Sequence, residues 1–474
     1  MLSKVYSHLP TWAQHAAVSA YGLYWYALRF GGNYRNDLND YLSREAFGAE
    51  DWARYQSETV AALLSAAATH VPYYRRVWGE AEKRAARAGD LHAIPLLEKD
   101  ALRADPKAFL REDLSPRSTK TYHTSGSTGT PIATIWTPAE VRRSRAVREA
   151  RSNRWAGVSY SLPRATFSGR MVEPNPASKG PFYRFNAVER QVYFSAFHLR
   201  PDTAPSYVRA LHRHRVQWLS GYAVSFYLLA KMILEQELEV PPLKALITTS
   251  EKVTPEMRQV MERAYRCPVF EEYGTVENVV LATECRDGRL HVSPDVGVIE
   301  ILRPDGSPCE PGEVGEVVAT GLMRTYQTLI RYRVGDLAAW DPEPCPCGRS
   351  MPVLREIVGR VEDVIVGPDG REMVRFHGIF VNQPNIREGQ IIQESLTNIR
   401  VRVVPGDAFG HADIQDIEDR VKQRLGDDVN VAIETVSHIP RTASGKFKAV
   451  VSLLRASRMD HKGAAAEEQD RGAR

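Results

Sequence analysis

Three consecutive segments constrain the fold more than any other part of the chain. "PLKALITTS" (242–250) is a short apolar run ending in a polar turn, "VTPEMRQVMERAY" (253–265) carries a helical pattern, and "CPVFEEYG" (267–274) is a second apolar run that ends in a loop. The same alternation of short apolar runs and helical patterns extends over residues 117–355. It predicts an α/β sheet domain. In such sheets ligands gather at the carboxyl ends of the strands, where these polar turns lie.

The flanks read differently. Residues 1–115 look helical, with amphipathic stretches such as "YQSETVAALLSAAATHV". "DVGVIEILRPDGSPCEPGEVGEVVAT" (295–320) has hairpin chemistry, with "PDG" and "EPGEVG" turns between strand-like runs. Composition shifts near residue 359, after which "NIRVRVVPG", "IQDIEDRVKQRLG" and "VNVAIETVSHIP" give strand, helix and strand. The expected class is α/β: a large multi-sheet N-terminal domain (a helical part, 1–115, and an α/β core, 116–358), then a small α+β C-terminal domain (359–458). The tail, 459–474, is low in aromatics and expected to be disordered.

Composition narrows the function. A net charge of +4 over 474 residues offers no concentrated basic face, so nucleic acid is not an expected partner. Five cysteines, an odd number, without a visible signal peptide argue against a disulfide framework and for a reducing cytoplasm. The segment "TWAQHAAVSAYGLYWYALRF" (11–30) is too diluted by Gln14, His15 and Ser19 for a membrane span. A helix packed on its own domain is the favoured reading, and an aromatic helix touching a membrane surface is the alternative.

"TSGSTGTP" (124–131) crowds Gly and hydroxyl residues into one loop, which can aim N–H and O–H donors at an anion. It lacks the Lys of the common NTPase phosphate loop. Alone it is a linker or a phosphate cradle. Four further motifs follow in order: "EEYGTVEN" (271–278), "YRVGDLAAW" (332–340), "GRVEDVIV" (359–366) and "PRTASGKFK" (440–448). Taken singly, each has a plain reading: a turn and helix start capped by Thr275, a loop before an exposed Asp, a composition boundary, and an exposed flexible loop. In register across residues 122–448, they make the chain resemble the adenylate-forming superfamily of acyl-CoA synthetases, in the branch of phenylacetate-CoA ligase and CapK-like capsule proteins.

The resemblance implies a large adenylation domain and a mobile C-terminal domain that rotates between two half-reactions. A carboxylic acid attacks the α-phosphate of ATP, giving an acyl-adenylate and pyrophosphate; a thiol such as that of CoA, or another acyl acceptor, then displaces AMP. Ser125, Gly126, Ser127, Thr128 and Gly129 would hold the β- and γ-phosphates. Tyr273 would stack on adenine, Thr275 touch the α-phosphate and Glu277 help bind Mg²⁺, with Gly274, Ser250 and Glu251 also among the nucleotide-binding residues. Asp336 would accept from the ribose hydroxyls, Arg360 contact ribose or phosphate, and Lys446 bridge α-phosphate and carboxylate. These residue types suit a reaction that joins two anions, because a Lys ammonium between them offsets their repulsion. The loop departs from many relatives in carrying Ile132 where they have Lys, and Glu362 stands at the hinge where Asp or Lys is usual.

A second metal is expected from the cysteines. Cys285 and His291 in "ECRDGRLH", with Cys345 and Cys347 in "PCPCG", would complete a tetrahedral structural Zn²⁺ site if the hairpin-rich chain between them returns antiparallel. C-x-C is tighter than the usual C-x₂₋₄-C, and the alternative is a set of buried free thiols beside a turn. Cys267 and Cys309 are read as ordinary thiols. Three functions remain open: an acid–CoA ligase, an enzyme passing the acyl group to an amine or hydroxyl on a sugar or lipid-linked glycan, and a nucleotide-binding scaffold without catalysis. The acid itself is not legible, although "TFSGR" (166–170), "GYAVSFY" (221–227) and "TTSEK" (248–252) are expected to line its pocket.

Overall fold

The computed structural model describes residues 6, 9–123, 132–168, 170, 172–173, 178–360, 365–368, 372–373, 376–380, 383, 385–440 and 447–454. The expected tail, 459–474, lies outside them. The described residues form two compact units. The first holds those up to Ile357 apart from Gly335–Leu337; the second holds these three and the described residues from Val358 onward.

The first unit opens with helices Thr11–Phe30, Tyr34–Ser43, Ala49–His70, Pro72–Val77, Glu80–Ala88 and Lys99–Ala104. Ala49–His70 buries Val60, Leu63, Leu64 and Ala67, the spacing of one helical stripe. Strands β1 (Lys120–His123) and β2 (Ala133–Trp136) then pair antiparallel. A twelve-stranded sheet follows. Its strands are β3 (Arg164–Phe167), β4 (Tyr183–Asn186), β5 (Gln191–Phe194), β6 (Trp218–Tyr222), β7 (Ala245–Thr249), β8 (Val269–Gly274), β9 (Leu281–Glu284), β10 (Leu290–Val292), β11 (Gly297–Leu302), β12 (Gly315–Gly321), β13 (Tyr332–Trp340) and β14 (Val353–Arg360). The order is β11-β12-β13-β14-β10-β9-β8-β7-β6-β3-β5-β4. Its parallel block is β5-β3-β6-β7-β8, so five carboxyl ends share one edge.

The helices of this block start where the sequence signals them. Thr254 Oγ1 accepts from Met257 N–H at 3.2 Å, with Pro255 opening the helix Pro255–Tyr265. Thr137 and Glu140 cap each other's backbone N–H at the start of Pro138–Arg148. Phe167, Leu219, Leu246, Phe226 and Tyr265 fill one core of this block. Gly221 sits at φ +128°, and a Cβ there would lie 1.9 Å from the carbonyl oxygen of Phe167 in β3. Only glycine admits that approach.

The second unit is a four-stranded sheet, β17 (Ile386–Gln393), β18 (Asn398–Pro405), β19 (Asn430–Thr435) and β20 (Val450–Ser452), in the order β19-β18-β17-β20. A two-stranded pair, β15 (Ile365–Val366) with β16 (Glu372–Met373), precedes it. The helix His411–Leu425 buries Ile417, Val421 and Leu425 in a core with Ile391, Ile399 and Val401. Strand, helix and strand fall where the sequence placed them.

A buried ionic network ties distant parts of the first unit together. Asp295 accepts from Arg151 Nη1 at 2.6 Å and Nη2 at 2.9 Å, and from Arg44 Nε at 2.8 Å. Burial alone would raise the Asp295 carboxyl, but Arg151, then Arg44, outweigh it and hold it below its usual range. Asp295→Asn leaves two buried guanidiniums without their anion, and we expect it to cost about 3–5 kcal/mol. Because the folded pKa is depressed, Asp295 contributes its full share above the unfolded carboxylate value of about 4 and loses it as pH falls below. Urea unfolding of wild type and variant should therefore differ most near neutral pH, with the gap closing in acid.

Candidate functional site

The carboxyl edge of the parallel block gathers several of the residues singled out in the sequence. β7 ends at Thr249, whose register partner in β8 is Glu272, so the turn at Ser250 and Glu251 lies beside Tyr273 and Gly274. Ser250 has φ +70°, a left-handed conformation that costs a serine free energy and recurs at functional turns. Glu251 has a structural task, since its Oε2 accepts from Val224 N–H at 2.9 Å at the start of the helix Ala223–Glu235.

"EEYGTVEN" does not begin a helix. Asn278 N–H donates to Thr275 O at 3.0 Å, and Asn278 takes φ +52°, which turns the chain back toward β9. Arg148 Nη1 holds the Asn278 side chain at 3.1 Å. Within that turn Glu277 is buried, and Tyr332 Oη donates to its Oε1 at 2.8 Å. Arg324 Nη1 donates to the Glu277 carbonyl at 2.9 Å. Burial lowers the Arg324 guanidinium to about 10, against the pull of Glu140 and Glu277. Thr275 Oγ1, two residues from this carboxylate, is buried and has no hydrogen-bond partner among the described residues.

The remaining expected contacts fall differently. Asp336 lies within β13 and is half-buried, and the backbone of Arg360 ends β14. Ser125, Gly126, Ser127, Thr128 and Gly129, in the connection from β1 to β2, lie outside the described residues, as do Glu362 and Lys446. Sequence reasoning missed Tyr332 and Arg324. Tyr332 opens the "YRVGD" motif, but nothing in its spacing announces a partner in the turn after β8.

The second constellation is built by sheet register. β9 and β10 pair antiparallel, setting Cys285 just past β9 and His291 within β10. β10 pairs in turn with β14, His291 opposite Val353, and the loop before β14 carries Cys345 and Cys347. The four ligand atoms lie within 4.8 Å of one another. Cys285 Sγ is 3.6 Å from Cys345 Sγ, and Cys347 Sγ is 3.4 Å from His291 Nε2. Thiolates and imidazoles on one tetrahedral ion are separated by roughly 3.8 Å (S to S) and 3.6 Å (S to N), so the spacing suits a metal. His291 Nδ1 lies 3.2 Å from Met351 O, the outer contact that leaves Nε2 free to ligate. Burial holds the imidazole below its usual range, in the neutral ligand form.

The thiols differ. Burial pushes Cys345 up to about 12. Burial also raises Cys347, but the backbone N–H and guanidinium of Arg349 outweigh it and pull it below the usual thiol range. Arg349 stacks over Trp155 at 4.1 Å and reaches Glu45 at 3.1 Å, closing one side of the cluster.

The family model for the CapK C-terminal domain matches residues 366–453. Over 471 aligned residues the chain is 24% identical to protein CapK of Staphylococcus aureus, covering 96% of this chain and all of that protein (100%). It is 25% identical to phenylacetate-coenzyme A ligase of Thermus thermophilus, covering 86% of this chain and 98% of the relative. Among solved structures, 2-hydroxyisobutyryl-CoA ligase in its postadenylation state superposes with a TM-score of 0.64 at 22% identity, over 89% of this chain and 94% of that one. That likeness shows the fold.

Two substitutions at this edge separate a group with a structural task from one without a partner among the described residues. Glu251→Ala removes a helix cap and should lower stability by about 1 kcal/mol. Thr275→Val removes a hydroxyl that has no hydrogen-bond partner among the described residues, so its unfolding free energy should match wild type or exceed it. Denaturant unfolding of both variants checks the contrast.

Proposed function

We propose that this chain, a homologue of CapK and of phenylacetate-coenzyme A ligase with the adenylate-forming ligase fold, is an AMP-forming acid–CoA ligase. It activates a carboxylic acid, acyl or aryl, as an acyl-adenylate with release of pyrophosphate, then transfers the acyl group to CoA with release of AMP. The observation that carries this reading is the buried Thr275 hydroxyl, without a partner among the described residues, two positions before a carboxylate held by Tyr332. An unmet buried hydroxyl costs about 1–3 kcal/mol, and a phosphate oxygen at this edge would satisfy it.

In this reading Thr275 donates to the α-phosphate, while Tyr273 covers the adenine and Gly274 lets the base approach the backbone. Ser250 and Glu251 border the same edge, and Glu251 does so while capping its helix. Ser125 to Gly129 cradle the outer phosphates; Asp336 and Arg360 hold the ribose. Mg²⁺ supplies charge neutralisation for the phosphates when bound. Glu277 is the residue to hold it, its carboxylate already oriented by the hydrogen bond from Tyr332. The substrate carboxylate forms a bond to the α-phosphorus as the bond to pyrophosphate breaks, and Lys446 lies between the two anions. The CoA thiolate then attacks the acyl carbon and AMP departs, with residues 359–458 acting as a mobile domain between the two steps.

The Cys₃His cluster holds structural Zn²⁺ in the same proposal. Four protein ligands leave no open position for chemistry, so the ion staples the loops around β10. A second reading of the acceptor, allowed by the resemblance to CapK-like capsule proteins whose C-terminal family model matches residues 366–453, passes the acyl group to an amine or hydroxyl on a sugar or lipid-linked glycan instead of CoA. Pyrophosphate release across a panel of carboxylic acids, with and without CoA, tests both. Release that depends on an acid, with AMP formation that requires CoA, supports the ligase; no release with any acid overturns adenylation.

Lys446→Ala should slow acid-dependent pyrophosphate release by roughly 10²–10³ without lowering the unfolding temperature, and an unchanged rate would remove Lys446 from the chemistry. Purified protein should contain close to one equivalent of zinc by elemental analysis. Cys345→Ser combined with Cys347→Ser should lose the metal and unfold at lower temperature, whereas Lys446→Ala should keep it.

A further inference from the structure

The helix Thr11–Phe30 reverses the usual polarity of a surface helix, in which apolar side chains face the protein. Its polar groups point inward. Gln14 is buried and donates to Leu9 O at 2.9 Å. His15 Nδ1 accepts from Phe185 N–H at 2.9 Å, and Ser19 Oγ accepts from Ala187 N–H at 3.0 Å. Arg29, the helix's single charged residue, is buried against Glu189 at 2.9 Å. The helix is therefore stitched along β4 by its polar side chains, while Val18, Trp25, Leu28 and Phe30 are half-buried and several other apolar side chains are left exposed.

Trp12, Ala16, Ala20, Leu23 and Ala27 form one exposed stripe at helical spacing, with Tyr24 along its margin. Trp12 is 74% exposed, Leu23 62% and Tyr24 44%, values that exclude ordinary packing against the protein. Along this stripe there is no charge at all.

We propose that this helix docks flat on the surface of a lipid bilayer bearing anionic headgroups. Three features select that occupant. First, Trp and Tyr, with an apolar body and a polar tip, are the residues enriched where bilayer meets water. Second, a cation borders the stripe: the Lys120 ammonium lies 4.9 Å from the Tyr24 ring centre. Third, a helix of this length offers a face of about 30 by 10 Å, so two copies would bury only ~600 Å², well short of the ~1,200 Å² of a stable protein interface. No helix among the described residues is long and apolar enough to cross a membrane, which fits a helix lying in the interface. The inference stands independently of the reaction proposed above.

The test is co-sedimentation of the full chain with vesicles of phosphatidylcholine alone and of phosphatidylcholine mixed with phosphatidylserine. The expected result is binding to the mixed vesicles that weakens with salt, and at least about tenfold weaker binding of the variant Trp12→Ser, Leu23→Ser, Tyr24→Ser. Leu23→Glu, a single change on the same stripe, should weaken binding in the same direction and provides the reading if the triple variant fails to fold. Failure to bind either vesicle, equal binding to both, or unaltered binding by the folded variants would overturn the proposal. Self-association without vesicle binding, measured by sedimentation velocity and lost in the variants, would overturn it too and assign the stripe to a second copy.

Discussion

The carboxylate of Asp295 is shared by two guanidiniums from segments far apart in sequence, Arg44 and Arg151. Neither charge could remain buried alone, so the three groups hold one another in place. Glu45, beside Arg44, extends the network to Arg151, to the Trp155 indole and to Arg349. The N-terminal helical segment, the stretch that continues the helix Pro138–Arg148, and the loop before β14 are thus fixed by one set of ionic contacts. The candidate site depends on that fixation. Arg148 and Ser152, one helical turn apart on the tethered stretch, both engage Glu272, and Glu272 precedes Tyr273 in β8.

Much of this was legible in the sequence because it rests on local chemistry. Strand β7, the helix Pro255–Tyr265 and β8 followed from apolar runs, a Thr-Pro helix start and polar turns. The position of Tyr273, Gly274 and Thr275 at a strand's carboxyl end followed from the same pattern. What escaped notice is non-local. The Tyr332 to Glu277 hydrogen bond joins two motifs that are separated by 55 positions, and neither motif specifies the other's orientation. Glu251 illustrates a different limit: nothing in its motif announces that this polar turn residue also accepts from a helix N-terminus with one oxygen. The helix Thr11–Phe30 packs along β4 of its own unit, the favoured reading, but the sequence did not show that Gln14, His15 and Ser19 would be the residues facing inward.

The Cys₃His cluster shows how sheet register can assemble a site that spacing only suggests. A one-residue slip of β10 against β9 would turn His291 to the opposite face of the sheet and break the set. The tight C-x-C pair is accommodated because Gly348, at φ +81°, turns the chain immediately after Cys347.

β10 itself is three residues long, and it stands between β9 and β14 in the twelve-stranded sheet. On one side lie the parallel strands that end at the candidate site, and on the other the antiparallel strands of the hairpin region. The register joining β10 to β14 runs through Leu290 with Leu354 and His291 with Val353. So short a ladder transmits little mechanical load, and the two halves of the sheet would behave as separate panels were it the only link. With ligand-type side chains from both flanks of β10 gathered at one point, a metal held there would rivet the seam, so that the two panels flex as one plate rather than as two.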